Sequence, residues 1–485
     1  MVADDRPSAV GSAVAASDGQ AHTGLRRNAV SLPGATAMGI AVIAPAAGMA
    51  FVPQIVAGYS GAAVPFAYLL VIVGAVCVAY TISVFARKFT SAGSFYTFNT
   101  KGLSPEFGFI SGWLLLLGYI MFFPQNTLAF GYTLSSILAE HAGVSIPWWV
   151  FTVAATALIV GLAIMGLSQS MKVDIIVISF EVLVLLVLAL VIVFKGGDAG
   201  NTVQVFNPAI SPKGFSGISF GLIFALGTIE GFEASATAAE ECREPKKNIP
   251  RALMGAVIGC GIFFVFITYA LTIGFGVHHA GTFASTGLPL DTLSRRYLGV
   301  SFSVVVDVAV TLSALAVSIA AGNGAMRVIF AMARERVLPQ QLSGLSRRRT
   351  PYVAALTVGG IALAVALILG GIAGPYPQAY SYIGALGSLP VAVLYVLVCI
   401  SLIAYFIRSR DRDFHPVKHA IIPGIGVIVA ALPVYGSFHP LPTGAFLVVD
   451  IILLAYLVIG IGVVFILRQR PGRLEQVGQV LATGE

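Results

Sequence analysis

The sequence predicts an all-α membrane protein with about 12 transmembrane helices, and three observations lead to that fold class. Apolar residues make up 57% of the chain and charged residues 10%, against about 45–50% and roughly 25% in soluble domains. Apolar runs at 66–86, 175–194 and 353–371 reach the roughly 20 residues that cross a hydrocarbon core of about 30 Å. These runs are continuous and do not alternate with polar residues, which favours helices over barrel strands.

The polar breaks between apolar runs set the boundaries of the predicted helices. We predict them at 34–58, 63–86, 105–138, 146–168, 173–195, 215–238, 251–276, 301–333, 352–372, 379–407, 419–436 and 443–467.

The two ends of the chain and its basic residues predict its orientation. Residues 1–31 are polar, contain Asp4, Asp5 and Asp18 and lack an apolar core, so we expect a disordered cytoplasmic tail and no cleaved signal peptide. Residues 468–485 form a second predicted cytoplasmic tail. With both tails inside, 24 of the 28 basic residues lie on one side, as the positive-inside rule requires for a multi-pass protein of the cell membrane. The four on the other side are Lys195, Lys213, Arg295 and Arg296. We expect the basic loops to meet membrane lipids, and no nucleic acid is needed to explain them.

Cysteine and histidine positions give no sign of a metal or cofactor. Cys77, Cys242, Cys260 and Cys399 lack a paired metal or redox spacing, and we interpret them as packing residues. The seven histidines fall in the tail, in predicted loops and near helix ends. We therefore expect no metal and no cofactor.

Two predicted helices contain a break at about mid-depth. In the first, Pro45 removes a helix donor and Gly48 allows the chain to open. The sixth contains two glycines, a threonine and two glutamates within 224–233. Each is the first of five helices, which predicts two inverted repeats at 32–200 and 201–407 followed by two helices at 408–467. The alternative is that the small residues only allow close helix packing.

These breaks would supply backbone groups to a substrate. Amides at the first break would suit a carboxylate, and carbonyls at the second would accept an ammonium group. The predicted substrate-binding residues are Ala44, Ala46, Ala47, Gly48, Ala225, Gly227, Thr228, Glu230 and Tyr119. Tyr119, with Phe122 and Phe123, could line the substrate site or pack in the core.

Three further segments resemble amino acid–polyamine–organocation permeases. The first is Ser91-Ala92-Gly93-Ser94-Phe95-Tyr96 with Phe107-Gly108-Phe109 and Gly112-Trp113, which resembles the start of the family's third helix. The second runs from Gly231-Phe232-Glu233 through Glu240-Glu241 and Pro245-Lys246-Lys247 to Ile249-Pro250-Arg251-Ala252 and is similar to its sixth helix and following loop. The third, Arg327 with 333–339 and Thr350-Pro351, resembles the exit of its eighth helix.

The resemblance implies a fold and a mode of energy supply. It implies a five-plus-five inverted repeat with two added helices, alternating access, and proton coupling or exchange in place of ATP hydrolysis. The sequence contains no P-loop motif, in agreement with that implication. Many family members carry a glycine-serine-glycine-like run at the first break, whereas this chain has Ala44-Pro45-Ala46-Ala47-Gly48.

Carboxylates within predicted helices are costly in a membrane and are candidates for function. Glu181 lies mid-helix among apolar residues, at a position where several proton-coupled relatives place a lysine, so we predict a proton carrier or a structural hydrogen bond. Glu233 corresponds to a family glutamate linked to gating or proton sensing. Glu230 has no general family counterpart and could meet a substrate cation or cap the broken helix. Asp307 is predicted to be structural or a gate partner, and Ser318 is a possible ligand of a coupling sodium ion, which we expect less than a proton.

The function predicted from the sequence is a secondary transporter for a small amino acid or amine. An enzyme would need a convergent catalytic set, which the scattered carboxylates do not provide. A channel would favour repeated subunit motifs or a filter sequence. Two alternatives stay open: a polyamine or alkylamine permease, and a nutrient sensor that binds without transporting.

Overall fold

The computed structural model describes residues 30–89, 94–166, 171–237, 239, 241–334, 336–348, 350–409 and 414–469. Most of the two predicted tails, at 1–29 and 470–485, lies outside the described residues, as do Ser91, Ala92, Gly93 and Glu240 of the family motifs.

The described chain is helical almost throughout. Its helices are α1 (Leu32–Ile43), α2 (Pro45–Phe51), α3 (Pro53–Ser60), α4 (Val64–Lys88), α5 (Ser94–Gly102), α6 (Pro105–Ala142), α7 (Trp148–Met165), α8 (Met171–Phe194), α9 (Gly214–Gly227), α10 (Ala234–Thr237), α11 (Pro245–Phe275), α12 (Ala280–Ser285), α13 (Pro289–Leu298), α14 (Val300–Arg334), α15 (Tyr352–Ala373), α16 (Tyr380–Ser409), α17 (Ile422–Phe438) and α18 (Ala445–Arg468). The five residues Pro375–Ala379 form a wider turn that leads into α16. A single bridge between Val30 and Cys242 is the only extended pairing among the described residues.

Eleven helical segments of the described chain are long and apolar enough to cross a membrane, and the protein is a multi-pass membrane protein. They correspond to all but one of the twelve predicted helices. The exception is the predicted helix 215–238, which forms α9, a non-helical turn and the four-residue α10. With 14 residues, α9 is about 21 Å long at 1.5 Å per residue. It is therefore too short to span the membrane alone.

The first predicted break lies at Ala44, between α1 and α2. Ala44 adopts the left-handed conformation with φ of 51°, which costs a residue with a Cβ atom about 1–2 kcal/mol. Pro45 follows as the first residue of α2, where a missing N–H does least harm. The predicted discontinuity of the first helix is confirmed.

The second predicted break follows α9 and touches the first. Gly231 has φ of 108°, a conformation that favours glycine. A Cβ atom on Gly231 would also lie 2.4 Å from Cγ1 of Val42 in α1. Since both the conformation and the contact require glycine, this residue allows the two broken helices to cross directly.

The two broken helices are surrounded by longer ones. α1 packs against α8, α11 and α14, and α9 packs against α3, α4, α16 and α17. α6 lies between α14 and α16 and runs past both breaks. This arrangement places polar residues of the breaks inside the bundle and away from lipid.

Candidate functional site

A cavity of about 780 Å³, part of which is open to solvent, lies where the two breaks meet. Its walls come from α1, α2, α6, α9, the turn after α9, α14 and α16. Of the predicted substrate-binding residues, Ala44, Ala47, Gly48, Gly227, Thr228, Glu230 and Tyr119 line it. Ala46 and Ala225 do not. Thus the sequence-based prediction and the cavity select the same region.

Glu230 is the most exceptional residue of this cavity. Its side chain is 3% exposed. Within the described chain neither carboxylate oxygen makes a hydrogen bond of good geometry, and the Ser388 hydroxyl of α16 is the side-chain donor that interacts with it. Buried polar groups are nearly always well paired, because a poorly paired one loses its hydration without compensation. A buried carboxylate with one neutral partner that faces a cavity is suited to a ligand with a positive charge.

Glu233 lines the same cavity but is already held in place. Its Oε2 atom accepts a hydrogen bond of 3.0 Å from the Gly231 amide and another of 3.0 Å from the Tyr395 hydroxyl. The first bond satisfies an amide freed by the helix break, and the second joins the break to α16. Glu233 therefore stabilises the turn after α9, and this geometry is compatible with its predicted role in gating.

The amides of the first break do not point freely into the cavity. The Ala46 amide donates to Oε2 of Glu181 at 3.2 Å, and the Ala47 amide donates to the Ser313 hydroxyl at 3.1 Å. The Ser313 hydroxyl in turn donates to Oε2 of Glu181 at 2.8 Å. The Gly48 amide bonds back to Ala44. The donors that the sequence assigned to a substrate carboxylate are thus occupied by side chains of α8 and α14.

Glu181 lies beside a second, smaller cavity on the other side of the first break. This cavity encloses about 230 Å³, part of which is open to solvent, and is lined by residues of α1, α2, α8 and α14, with Asp174 among them. Glu181 itself is 2% exposed. The structural hydrogen bond that was one of two predictions for Glu181 is present, and its contacts leave the proton-carrier role open.

Ser318, the predicted sodium ligand, faces its own helix. Its hydroxyl donates to the Ala314 carbonyl at 2.7 Å, and it lines neither cavity described above. Serines in membrane helices often bond back in this way. The hydroxyl that does reach the first break belongs to Ser313, one and a half turns earlier in α14.

Aromatic residues close the cavity at the end that α2 and α3 reach. Tyr380 lines the cavity and packs against Phe51 and Tyr376, with ring centroids 5.4 and 5.7 Å apart. The Tyr376 hydroxyl donates to the Phe51 carbonyl at 2.9 Å and accepts from Nε2 of Gln54 at 2.5 Å. Tyr132 of α6 stacks on Tyr376 at 5.2 Å. We call Phe51, Tyr132, Tyr376 and Tyr380 the aromatic lid.

At the opposite end, the turn after α9 packs against α16 and α5. Phe232 and Phe95 lie on either side of Tyr395, with ring centroids 5.5 and 5.9 Å away. All three rings are buried. Aromatic clusters therefore flank the cavity on two sides, the aromatic lid through Tyr380 and the Phe95–Phe232–Tyr395 cluster through Glu233.

Several cavity residues carry no prediction from the sequence. They are Gln125 and Asn126 of α6 and Tyr380 and Ser388 of α16. Gln125 and Asn126 follow Pro124 within an apolar helix. Two amide side chains inside a membrane helix are a pattern from which site residues could have been predicted. Of the three aromatic residues considered in α6, Tyr119 and Phe122 line the cavity, whereas Phe123 is buried against Gly322.

A separate charged cluster joins α6, α13 and α14. Ligand atoms of Glu140, His141 and Asp291 lie within 4.8 Å of one another. Arg295 fills this cluster, with its guanidinium 2.6 Å from Glu140 and 2.8 Å from Asp291. His141 also approaches Asp307 at 3.5 Å, which places Asp307 at a junction of α6 and α14, as expected for a structural or gating residue. Because an arginine already provides the positive charge, we assign no metal to this cluster.

Comparison with known proteins agrees with the geometry. The family described as "Amino acid permease" matches residues 34–475. The chain is 29% identical to the "Low-affinity putrescine importer PlaP" of Escherichia coli (strain K12), over 64% of this chain and 68% of that protein. It is 24% identical to the "Branched-chain amino acid permease BcaP" of Bacillus subtilis (strain 168), over 86% and 88%. It is 25% identical to the "Cationic amino acid transporter 2, vacuolar" of Arabidopsis thaliana, over 72% and 56%.

The matched region covers both broken helices, both aromatic closures and the eleven long helical segments. Three relatives with different substrates in their names share one function, transport of small nitrogen-containing solutes. This chain belongs to the amino acid permease family and is a transporter of that type.

Proposed function

We propose that this protein is a secondary active transporter of the cell membrane that imports or exchanges a small solute with a protonated amino group. Amino acids, predicted first from the sequence, and alkylamines both carry that group. The observation that supports the proposal best is the buried Glu230, which has no cationic partner among the described residues that line a cavity between two broken helices. Such a cavity at mid-depth is where alternating-access carriers bind their substrates.

The proposed architecture is a pair of inverted five-helix repeats, 32–200 and 201–407, with α17 and α18 added. In this interpretation the broken helices α1–α3 and α9–α10 occupy equivalent places in the two repeats. Alternating access would then open the aromatic lid and the Phe95–Phe232–Tyr395 closure in turn, because a carrier must not open both ends together.

We further propose that transport is coupled to protons and that Glu181 carries them. Its carboxylate lies beside the second cavity and accepts hydrogen bonds from Ala46 and Ser313, so a change in its charge acts directly on the first break. The Ser318 hydroxyl donates to the Ala314 carbonyl of its own helix, whereas Glu181 is in contact with the first break, and for this reason we propose the proton as the coupling ion.

The test of transport is counterflow in liposomes. Purified protein is reconstituted with an unlabelled amino acid or amine inside, and uptake of the labelled compound is followed over time. We expect a transient overshoot of label for at least one compound. A nutrient sensor on the same fold would bind, as shown by a ligand-dependent rise in melting temperature, but would give no overshoot, and that result would contradict the transporter proposal.

A further inference from the structure

The polar groups of the main cavity are unequally divided between acceptors and donors. We propose that the cavity selects cationic amines that lack a carboxylate and rejects the corresponding amino acids, with Glu230 as the residue that determines this preference. The inference rests on the proposed function, since it concerns the substrate class of the same cavity.

The acceptors begin with the two glutamates. Glu230 has the neutral Ser388 hydroxyl as its side-chain partner, and Glu233 adds a second carboxylate three residues away. Among the described residues that line the cavity, none is lysine, arginine or histidine. Burying a carboxylate without a counter-charge is energetically unfavourable. A cationic ligand therefore binds favourably because it forms an ion pair and because it neutralises this buried charge.

The backbone adds further acceptors at the first break. Pro45 has no N–H, and the amides of Ala46 and Ala47 donate to side chains. The carbonyls of Ala41, Val42 and Ile43 therefore lose the donors that a continuous helix would give them. Val42 and Ile43 line the cavity, which brings the negative end of the α1 dipole to its wall. The C-terminal end of α9 likewise adds the negative end of a helix dipole at the second break.

A substrate carboxylate would find little compensation in this cavity. The N-terminal amides of α2 are taken by Glu181, Ser313 and Ala44. Of the amide side chains, Asn126 already donates to the Phe122 carbonyl at 2.9 Å. The donors that remain are neutral groups, chiefly the Gln125 amide and the hydroxyls of Tyr119, Tyr380 and Ser388, and none of them supplies a positive charge. A carboxylate would also lie near Glu230 and Glu233, which have the same sign of charge. Removing a carboxylate from water without a paired cation or several donors is strongly unfavourable.

The decisive comparison uses pairs of compounds that differ only by a carboxylate. These are putrescine with ornithine, isoamylamine with leucine, and agmatine with arginine. Competition against counterflow of the best labelled compound gives an apparent affinity for each. For a buried site we expect the amine of each pair to bind at least about tenfold more tightly. Equal affinities, or a preference for the amino acid, would overturn the inference while leaving the transporter proposal intact.

A substitution connects the preference with Glu230. In Glu230→Gln, the loss of a buried charge partner should weaken amine binding by about thirtyfold or more, and affinity for the matched amino acid should change far less. The control is Asp450→Asn, which alters another buried carboxylate, in α18, that does not line the cavity. It should leave the amine-to-amino-acid ratio unchanged.

A binding measurement separates failure of folding or transport from failure of the inference. Melting-temperature shifts with each pair are recorded for wild type and both variants, which also shows that the variants are folded. Amine-specific shifts without counterflow would refute transport and support the selectivity. Shifts with amino acids only would refute the selectivity, and an amine-to-amino-acid ratio unchanged in Glu230→Gln would refute the role of Glu230.

Discussion

At the scale of single residues, five buried carboxylates of the described membrane region have distinct surroundings. Glu230 meets the Ser388 hydroxyl, Glu233 stabilises a turn, Glu181 caps α2, Asp307 approaches His141 and Asp450 bonds Ser437. Their separation into different contacts explains how one chain can hold several acids in a membrane at tolerable cost. It also means that each can be removed with a different expected effect.

Glu181→Gln tests the proton-carrier role. The glutamine oxygen can still accept from the Ala46 amide, so the break should keep its geometry, but the side chain no longer binds or releases a proton. We expect uphill accumulation driven by a proton gradient to disappear while exchange persists. Both are measured in liposomes with and without an imposed pH difference.

The matched control for that prediction is Ser313→Ala. It removes the hydroxyl next to Glu181 but keeps the carboxylate, so gradient-driven accumulation should be retained with altered efficiency. Undiminished uphill uptake by Glu181→Gln would show that the proton is carried elsewhere.

The residues of the site were only partly predictable from the sequence. The breaks, Glu230 and Tyr119 were found because proline, glycine and charge stand out within apolar helices. Ser313 and Ser388 were missed because serine is frequent in membrane helices and its partner depends on helix facing. The amides of Ala46 and Ala47 were expected to be free, since a local pattern cannot show that Glu181, 135 positions away in the chain, reaches Ala46.

At the scale of elements, the long apolar helices were predicted within a few residues, and the short ones were not. α12 and α13 lie between two membrane helices, and α13 presents Arg295 and Arg296 to polar partners. The Arg296 guanidinium, hydrogen-bonded to Asp198 at 2.5 Å, holds the pKa of that carboxyl below its ordinary value. The positions of α12 and α13 depend on charge pairing across the loop surface. A pattern of apolar residues does not predict such pairing.

The aromatic lid makes a prediction about the opening of the cavity. Tyr376→Phe keeps the ring but removes the hydroxyl that joins Phe51 and Gln54 to the turn before α16. Each lost hydrogen bond is worth about 0.5–1.5 kcal/mol, so the lid should open more often. A cysteine placed in the cavity by Ser388→Cys should then react at least about fivefold faster with a thiol reagent added outside intact cells.

The control for the lid is Tyr382→Phe. Tyr382 lies in α16, two residues after Tyr380, and packs against Phe446, outside the lid. Its substitution should leave the labelling rate of the cavity cysteine unchanged. Equal rates in the two tyrosine variants would show that the Tyr376 hydroxyl does not hold the lid closed.

At the scale of the whole molecule, the proposed orientation follows from 24 basic residues on one side and 4 on the other. The orientation can be measured by labelling introduced cysteines. The four native cysteines, Cys77, Cys242, Cys260 and Cys399, are buried and should not compete for the reagent. In intact cells, a membrane-impermeant maleimide should label Val203→Cys, whose position is 79% exposed between α8 and α9. It should label Leu345→Cys, 50% exposed between α14 and α15, only after the cells are permeabilised. The reverse pattern would invert the topology.

The shortness of α9 also affects the parity of the membrane crossings. Eleven helical segments pass a test of length and hydropathy, and an odd number places the two ends of a chain on opposite sides of a membrane. In the proposed topology, with both ends in the cytoplasm, the remaining crossing is made by the 14 helical residues of α9 and the turn after it, whose polar backbone is tolerated at that depth because it faces protein and cavity. If this crossing is left out, every loop from α11 onward is assigned to the opposite side of the membrane. The segment that lines the main cavity therefore also determines the proposed topology of the second half of the chain.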